Sequence, residues 1–123
     1  MTYCVGLLLN DGMVMLSDTR TNAGLDNIAT YRKMFQFEVP GERIIVILTA
    51  GSLSITQTTI AQLREAIEDP EASPETSILQ APTMLKVAEI IGSDLSRVRA
   101  SVDDKLATMR QGASASLIVG GQR

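Results

Sequence analysis

Short apolar segments separated by turn residues fill the first 50 positions and predict a β-rich beginning. The predicted strands span residues 3–9, 13–16, 31–39 and 44–48. Asn10-Asp11-Gly12 is a strong turn signal, so the first two strands should form a hairpin. Because hardly any polar residue alternates with the apolar ones in this hairpin, we expect both of its faces to be covered. Residues 17–27 are polar and are predicted to form a loop, which leaves the four strands as a meander.

Beyond residue 52 the apolar residues recur with the period of an α-helix. Ile60, Leu63 and Ile67 define one face of a first helix, which should end at Asp69-Pro70. A second, longer helix is predicted to have Pro82 in its first turn. Its apolar residues recur at steps of three and four, at Met84, Ala88, Ile91, Leu95, Val98, Val102, Leu106 and Met109.

The end of the sequence returns to the pattern of a strand. Gly112 is a plausible C-cap for the second helix, residues 114–119 predict a strand, and Gly120-Gly121 predicts a turn. Strands followed by helices indicate the α+β class, and the length suits one domain over residues 1–123. The last strand and turn resemble the start of another hairpin. We therefore expect the domain to be incomplete at its C-terminus.

The composition excludes several kinds of chemistry. The chain has no histidine and one cysteine, Cys4, which excludes Ser-His-Asp and Cys-His catalysis, an internal disulfide and the common zinc sites. We expect no metal, no cofactor and a reduced, cytoplasmic setting. The net charge of −3 argues against nucleic acid as a partner, and the apolar runs are too short to cross a membrane.

Without histidine, a catalytic base must be a carboxylate, a lysine or a terminal amine. Thr2 follows the initiator Met1, and removal of Met1 would expose a hydroxyl nucleophile with an α-amine on the same residue. Such an amine titrates near neutral pH and can act as the general base. Many proteins begin with Met-Thr for no catalytic reason, so this dipeptide alone carries little weight.

Three further residues could support such a nucleophile. Lys33 shares the alternating face of the third strand with Phe35 and Phe37, and a buried ammonium needs a carboxylate partner. Asp18 ends the second strand and could be that partner. Gly51 lies between a strand and a helix, where a backbone N–H can bind an oxyanion. Each has an ordinary alternative, since a strand-end lysine can extend to water, a carboxylate can end a strand, and a glycine can relieve a turn.

Several of these residues stand in motifs whose order is more informative than any single one. The motifs are Ser17-Asp18-Thr19-Arg20, Arg32-Lys33-Met34 and Thr49-Ala50-Gly51-Ser52, after Thr2 at the start. In this arrangement the chain resembles the proteasome β-subunit family of N-terminal nucleophile (Ntn) hydrolases. The opening residues 1–6 and the segment 21–24 are most similar to a bacterial, proteasome-related branch of that family.

The resemblance implies a fold and a set of roles. The fold is a four-layer αββα sandwich, of which this sequence holds the N-terminal part. Thr2 is implied to be the nucleophile, Asp18 and Lys33 the charged pair beside it, and Gly51 the oxyanion donor. Substrate binding is implied for Asn22 and Gly51 through backbone groups, and for Thr21, Tyr31 and Thr49 near the first specificity pocket. The family's chains are longer, and the additional Ser and Asp residues that support its threonine have no counterpart here.

The sequence thus predicts a threonine-type hydrolase that acts on peptides or unfolded proteins. The resemblance implies that it works as a homo-oligomer, either a ring or a helical array. One alternative is a proteasome-like assembly module without catalytic activity, which retention of Met1 would favour. Another is an Ntn amidase that acts on small amides, which a peptide panel would distinguish.

Overall fold

The computed structural model describes residues 3–22, 28–30, 32–107 and 115–122, with backbone only for 20–22, 28–30 and 102–107. These residues form strands and helices in the order β1 (Cys4–Leu9), β2 (Gly12–Ser17), β3 (Arg20–Asn22), β4 (Ile28–Thr30), β5 (Met34–Val39), β6 (Arg43–Gly51), α1 (Leu53–Glu68), α2 (Met84–Ala107) and β7 (Ala115–Gln122). The predicted α+β class is confirmed. The chain divides into two compact units, Met1–Ala50 with Ser116–Gln122, and Gly51–Ala115. The prediction of one domain over residues 1–123 stays a prediction.

The strands of the first unit do not form the single meander that the sequence predicts. β1 and β2 form an antiparallel hairpin, while β5, β6 and β7 form a separate sheet in that order. β3 and β4 pair with each other inside the segment predicted to be a loop and just after it, so the loop prediction is wrong there. Strands of three residues are too short for an alternating pattern to stand out from a polar background.

The buried side chains of the first unit lie mainly on β5 and β6. In the β5–β6 register Phe35 pairs with Ile47 and Phe37 with Ile45. Phe37, Ile45 and Ile47 are buried, whereas Gln36 next to Phe37 is exposed. The alternation predicted for the third strand is therefore confirmed, because successive side chains of a strand point to opposite faces.

The two glycines near the end of the sequence lie inside β7 and do not form the predicted turn. A Cβ placed on Gly121 would lie 2.5 Å from the carbonyl oxygen of Ile44 and 3.1 Å from the Cα of Ile45. A Cβ on Gly120 would collide with the Met13 sulfur. Glycine at these two positions therefore permits the close approach of the β6 backbone and of the Met13 side chain. Close approach of a neighbour is one of the common reasons for glycine inside a strand.

Helix α1 begins and ends where the sequence predicts. Ser52 is its N-cap, with the hydroxyl accepting a hydrogen bond from the Ile55 N–H at 3.5 Å, and Asp69 is its C-cap. Pro70 follows directly and cannot continue the helix. The predicted face is largely buried, with Ile60 and Leu63 exposed by 4% and 1%.

Helix α2 begins two residues later than the position of Pro82 implies. Thr83 precedes the helix, and its hydroxyl accepts a hydrogen bond from the Lys86 N–H at 3.1 Å, so Pro82 lies outside the first turn. Val87, Ile91 and Val98 are buried, whereas Ala88 of the predicted stripe is exposed. The predicted Gly112 cap lies outside the described residues. Neither α1 nor α2 combines the length and apolar character that a membrane-crossing helix needs.

We expect Leu63→Ala to lower the free energy of unfolding by about 2–5 kcal/mol, since it removes a fully buried side chain and leaves a cavity. The matched control is Leu85→Ala, because Leu85 is 71% exposed and the same truncation there should change stability by less than about 0.5 kcal/mol. Urea unfolding followed by circular dichroism measures both. Equal effects at the two positions would show that Leu63 is not a core residue.

Candidate active site

The predicted pair of Lys33 and Asp18 is present in the structure. Lys33 stands just before β5 and is 3% exposed, while Asp18 follows β2 directly. The Lys33 ammonium donates to both carboxylate oxygens of Asp18, at 3.0 Å to Oδ1 and 2.9 Å to Oδ2. A buried ammonium is thereby neutralised by a carboxylate whose own side chain is 31% exposed.

The same carboxylate binds the backbone at the start of the chain. The Tyr3 N–H donates to Asp18 Oδ1 at 2.9 Å, and the Asp18 N–H donates to the Tyr3 carbonyl at 3.0 Å. Asp18 therefore connects Lys33 with the residue that follows Thr2. Thr2 itself lies outside the described residues. Sequence reasoning missed this contact, because a backbone donor leaves no mark in the sequence, although the hairpin register places Cys4 opposite Ser17, one step away.

Thr49 and Cys4 extend the cluster onto β6. Thr49 is 4% exposed, and its N–H donates to the Lys33 carbonyl at 2.9 Å. The Thr49 hydroxyl also lies 3.4 Å from that carbonyl. The Cys4 thiol donates to the Thr49 carbonyl at 3.4 Å. Hydrogen bonds thus join β1, β6 and the residue before β5 around the charged pair. Sequence reasoning did not predict that Cys4 belongs to this cluster, because Cys4 stands in an apolar run.

Electrostatics at Cys4 reflect its neighbours. Burial raises the pKa of the Cys4 thiol above its ordinary value, the negative charge of Asp18 raises it further, and the positive charge of Lys33 acts in the opposite direction. At neutral pH the thiol is therefore protonated, which suits its role as a hydrogen-bond donor.

The remaining predicted site residues are placed as follows. Gly51 is the last residue of β6 and has φ of 98°, a left-handed conformation that favours glycine. Thr21 and Asn22 lie in β3, opposite Ala29 and Ile28. Tyr31, like Thr2, lies outside the described residues. Among the predicted residues the structure brings Asp18, Lys33 and Thr49 together.

No cluster of three or more acidic or cysteine side chains that could hold a metal occurs in the part of the chain that the structure describes.

Comparison with solved structures defines the class of this fold as proteasome-related, of the Ntn type. The similar structures are those of Anbu, and the predicted resemblance is thereby confirmed. Anbu in a helical assembly from Pseudomonas aeruginosa matches with a TM-score of 0.86 and 39% identity, over 99% of this chain and 48% of its own. A Gly-1 mutant of Anbu from Hyphomicrobium sp. strain MC1 matches with a TM-score of 0.85 and 35% identity, over 99% and 48%. Anbu (ancestral β-subunit) from Yersinia bercovieri matches with a TM-score of 0.83 and 33% identity, over 99% and 47%.

The matches cover nearly all of this chain but only part of each solved structure. This chain spans about half the length of the Anbu structures that it matches. No protein-family model matches the chain, and no curated protein matches it either. The similarity therefore establishes a proteasome-related fold for the part of this chain that the structure describes.

We expect Asp18→Asn to lower the apparent pKa of the Cys4 thiol, because it removes the negative charge that raises it. The chain has one cysteine, so the pH dependence of its alkylation by iodoacetamide reports this group alone. Asp11→Asn in the β1–β2 turn is the matched control and should leave the alkylation profile unchanged. An Asp18→Asn profile that coincides with the parent's would show that Asp18 does not act on Cys4.

Proposed function

We propose that this chain carries the nucleophile of a threonine-type peptide hydrolase. The observation that supports the proposal most is the position of Asp18, which holds Lys33 on one side and the backbone of Tyr3 on the other. The residue before Tyr3 is Thr2. Asp18 thus holds the residue next to the proposed nucleophile, and acyl transfer requires an attacking group that is held in place.

The proposed reaction needs Thr2 to be the N-terminal residue. Its hydroxyl oxygen attacks the carbonyl carbon of the peptide bond, and the α-amine of Thr2 accepts the proton. The same amine then donates a proton to the leaving amine, which departs and leaves an ester on Thr2. Water then attacks the ester carbonyl while the amine accepts a proton from the water. The amine returns this proton to the Thr2 oxygen as the ester bond breaks, which releases the acyl group as a carboxylic acid.

Each remaining role follows from charge or from the family resemblance. The Lys33 ammonium favours the ionised hydroxyl and the neutral amine of Thr2, and Asp18 keeps the ammonium in place. The resemblance assigns the Gly51 N–H to the oxyanion, and backbone groups of Asn22 and Gly51 to an extended substrate. It also assigns Thr21, Tyr31 and Thr49 to the neighbourhood of the first specificity pocket. Of these three residues, only Thr49 has a side chain that the structure describes.

The proposed substrate is a peptide or an unfolded protein, and the proposed working form is a homo-oligomer in a cytoplasmic setting. The similar Anbu from Pseudomonas aeruginosa forms a helical assembly, which supports the proposal that this protein self-associates. Confinement of the site within an assembly would restrict it to substrates that can enter as extended chains.

We expect the active protein to lack Met1, because Thr2 can supply both the hydroxyl and the amine only when it is N-terminal. Intact-mass measurement with N-terminal sequencing tests this processing. Thr2→Ala should abolish turnover of a peptide reporter while leaving the far-ultraviolet circular dichroism unchanged. Full activity in a preparation in which every chain retains Met1 would refute the mechanism, whereas retention of Met1 without activity would favour a non-catalytic assembly module.

We expect Lys33→Met to reduce peptide hydrolysis by about 100-fold or more, since it keeps the volume of the side chain and removes the charge. Some loss of stability should accompany it, smaller than the 3–5 kcal/mol typical of a broken buried pair, because Asp18 is 31% exposed and keeps contact with water. Lys86→Met is the matched control, because Lys86 pairs with Glu75 on the helical unit and should leave hydrolysis unchanged. Near-normal turnover in Lys33→Met would make Lys33 a structural residue.

A further inference from the structure

The side chain of Cys4 links two strands that belong to different sheets. Cys4 is the first residue of β1, which pairs with β2, whereas β6 lies in the sheet of β5, β6 and β7. The Cys4 thiol donates to the Thr49 carbonyl in β6 at 3.4 Å. This hydrogen bond therefore connects the strand that begins close to Thr2 in the sequence with the sheet that Lys33 precedes.

The same hydrogen bond closes a circuit around the charged pair. The Tyr3 N–H and the Lys33 ammonium both donate to the Asp18 carboxylate, and the Thr49 N–H donates to the Lys33 carbonyl at 2.9 Å. Cys4 completes the circuit, because it bonds to the Thr49 carbonyl and is covalently joined to Tyr3. We call these five residues the site network. It holds Lys33 both at its ammonium and at its backbone carbonyl, and both routes lead back to the start of the chain.

The environment of the Cys4 thiol suits a hydrogen-bond donor. Burial raises the pKa of the thiol and the charge of Asp18 raises it further, although the charge of Lys33 acts in the opposite direction. A nucleophilic cysteine has a lowered pKa, because the thiolate is the reactive form. At neutral pH Cys4 therefore keeps its proton and can donate it to the Thr49 carbonyl.

We propose that Cys4 is a positioning residue, which acts through Thr49 to fix the Lys33 ammonium relative to the start of the chain. The inference rests on the proposed function, in which this ammonium favours the ionised hydroxyl and the neutral amine of Thr2. The interaction of two charges depends on their separation, so the ammonium acts fully only when its position is fixed. Loss of the Cys4 donor should therefore slow the chemical step and leave substrate binding unchanged.

Two substitutions at Cys4 test this role in the protein from which Met1 has been removed. Cys4→Ala removes the donor, and we expect kcat for a peptide reporter to fall by about 10-fold with KM within about twofold of the parent value. Cys4→Ser supplies a hydroxyl donor in the same place, and its kcat should stay within about threefold of the parent value. Rescue by serine separates loss of the donor from loss of the cysteine as such.

Thr59→Val is the matched control. The buried Thr59 hydroxyl donates to the Ile55 carbonyl within α1 at 2.8 Å, so this substitution removes the same kind of side-chain-to-carbonyl bond outside the site network. We expect it to lower stability and to leave kcat unchanged. Equal losses of kcat in Thr59→Val and Cys4→Ala would assign the effect to general destabilisation and overturn the proposal.

Hydrogen exchange of the Thr49 amide gives a readout that does not depend on activity. We expect this amide to exchange about 10-fold faster in Cys4→Ala than in the parent or in Cys4→Ser, measured by mass spectrometry on peptides that contain Thr49. A parent protein without hydrolysis would refute the proposed function and this role together. In an active parent, unchanged kcat or unchanged Thr49 exchange in Cys4→Ala, or a Cys4→Ser variant as impaired as Cys4→Ala, would overturn the positioning role alone.

Discussion

The burial of one ammonium group constrains the rest of the first unit. Lys33 is 3% exposed, and an ammonium cannot be removed from water at an acceptable cost unless a carboxylate faces it. Asp18 meets this requirement with both oxygens, at 2.9 and 3.0 Å. Since Asp18 follows β2 and Lys33 precedes β5, the pair relates the end of the hairpin to the start of a different sheet.

Stability alone does not explain such a pair. Replacing a buried ion pair by well-packed apolar residues is often neutral or stabilising, so a protein gains little folding free energy by keeping one. The pair does fix positions, however, because Asp18 also accepts the Tyr3 N–H and Lys33 carries the carbonyl to which Thr49 donates. The pair therefore fixes the positions of Tyr3 and Thr49 around one buried positive charge.

Sequence periodicity predicts those features that repeat along one element. The hairpin, the β5–β6 pair and α1 follow from turn residues and from apolar spacing, and the Lys33–Asp18 pair follows from the phase of each residue on its strand. The contact of Asp18 with Tyr3 could not be predicted, since it depends on a backbone N–H that every residue but proline carries. The sequence predicts a turn at Gly120 and Gly121, because it cannot distinguish a glycine that bends the chain from one that permits the close approach of a neighbouring residue.

The β1–β2 hairpin is more exposed than its apolar sequence predicts. Apolar residues at successive positions of a strand are typical of a strand covered on two sides, whereas Leu7, Leu8 and Leu9 are exposed by 46%, 80% and 56%. The hairpin contacts β7 at Gly6, which lies near Ile118, and at Met13, which lies against Gly120. Asp18 follows this hairpin directly, so the course of β2 determines where the carboxylate that holds Lys33 and Tyr3 lies. The geometry of the candidate site therefore depends on the two strands of the hairpin.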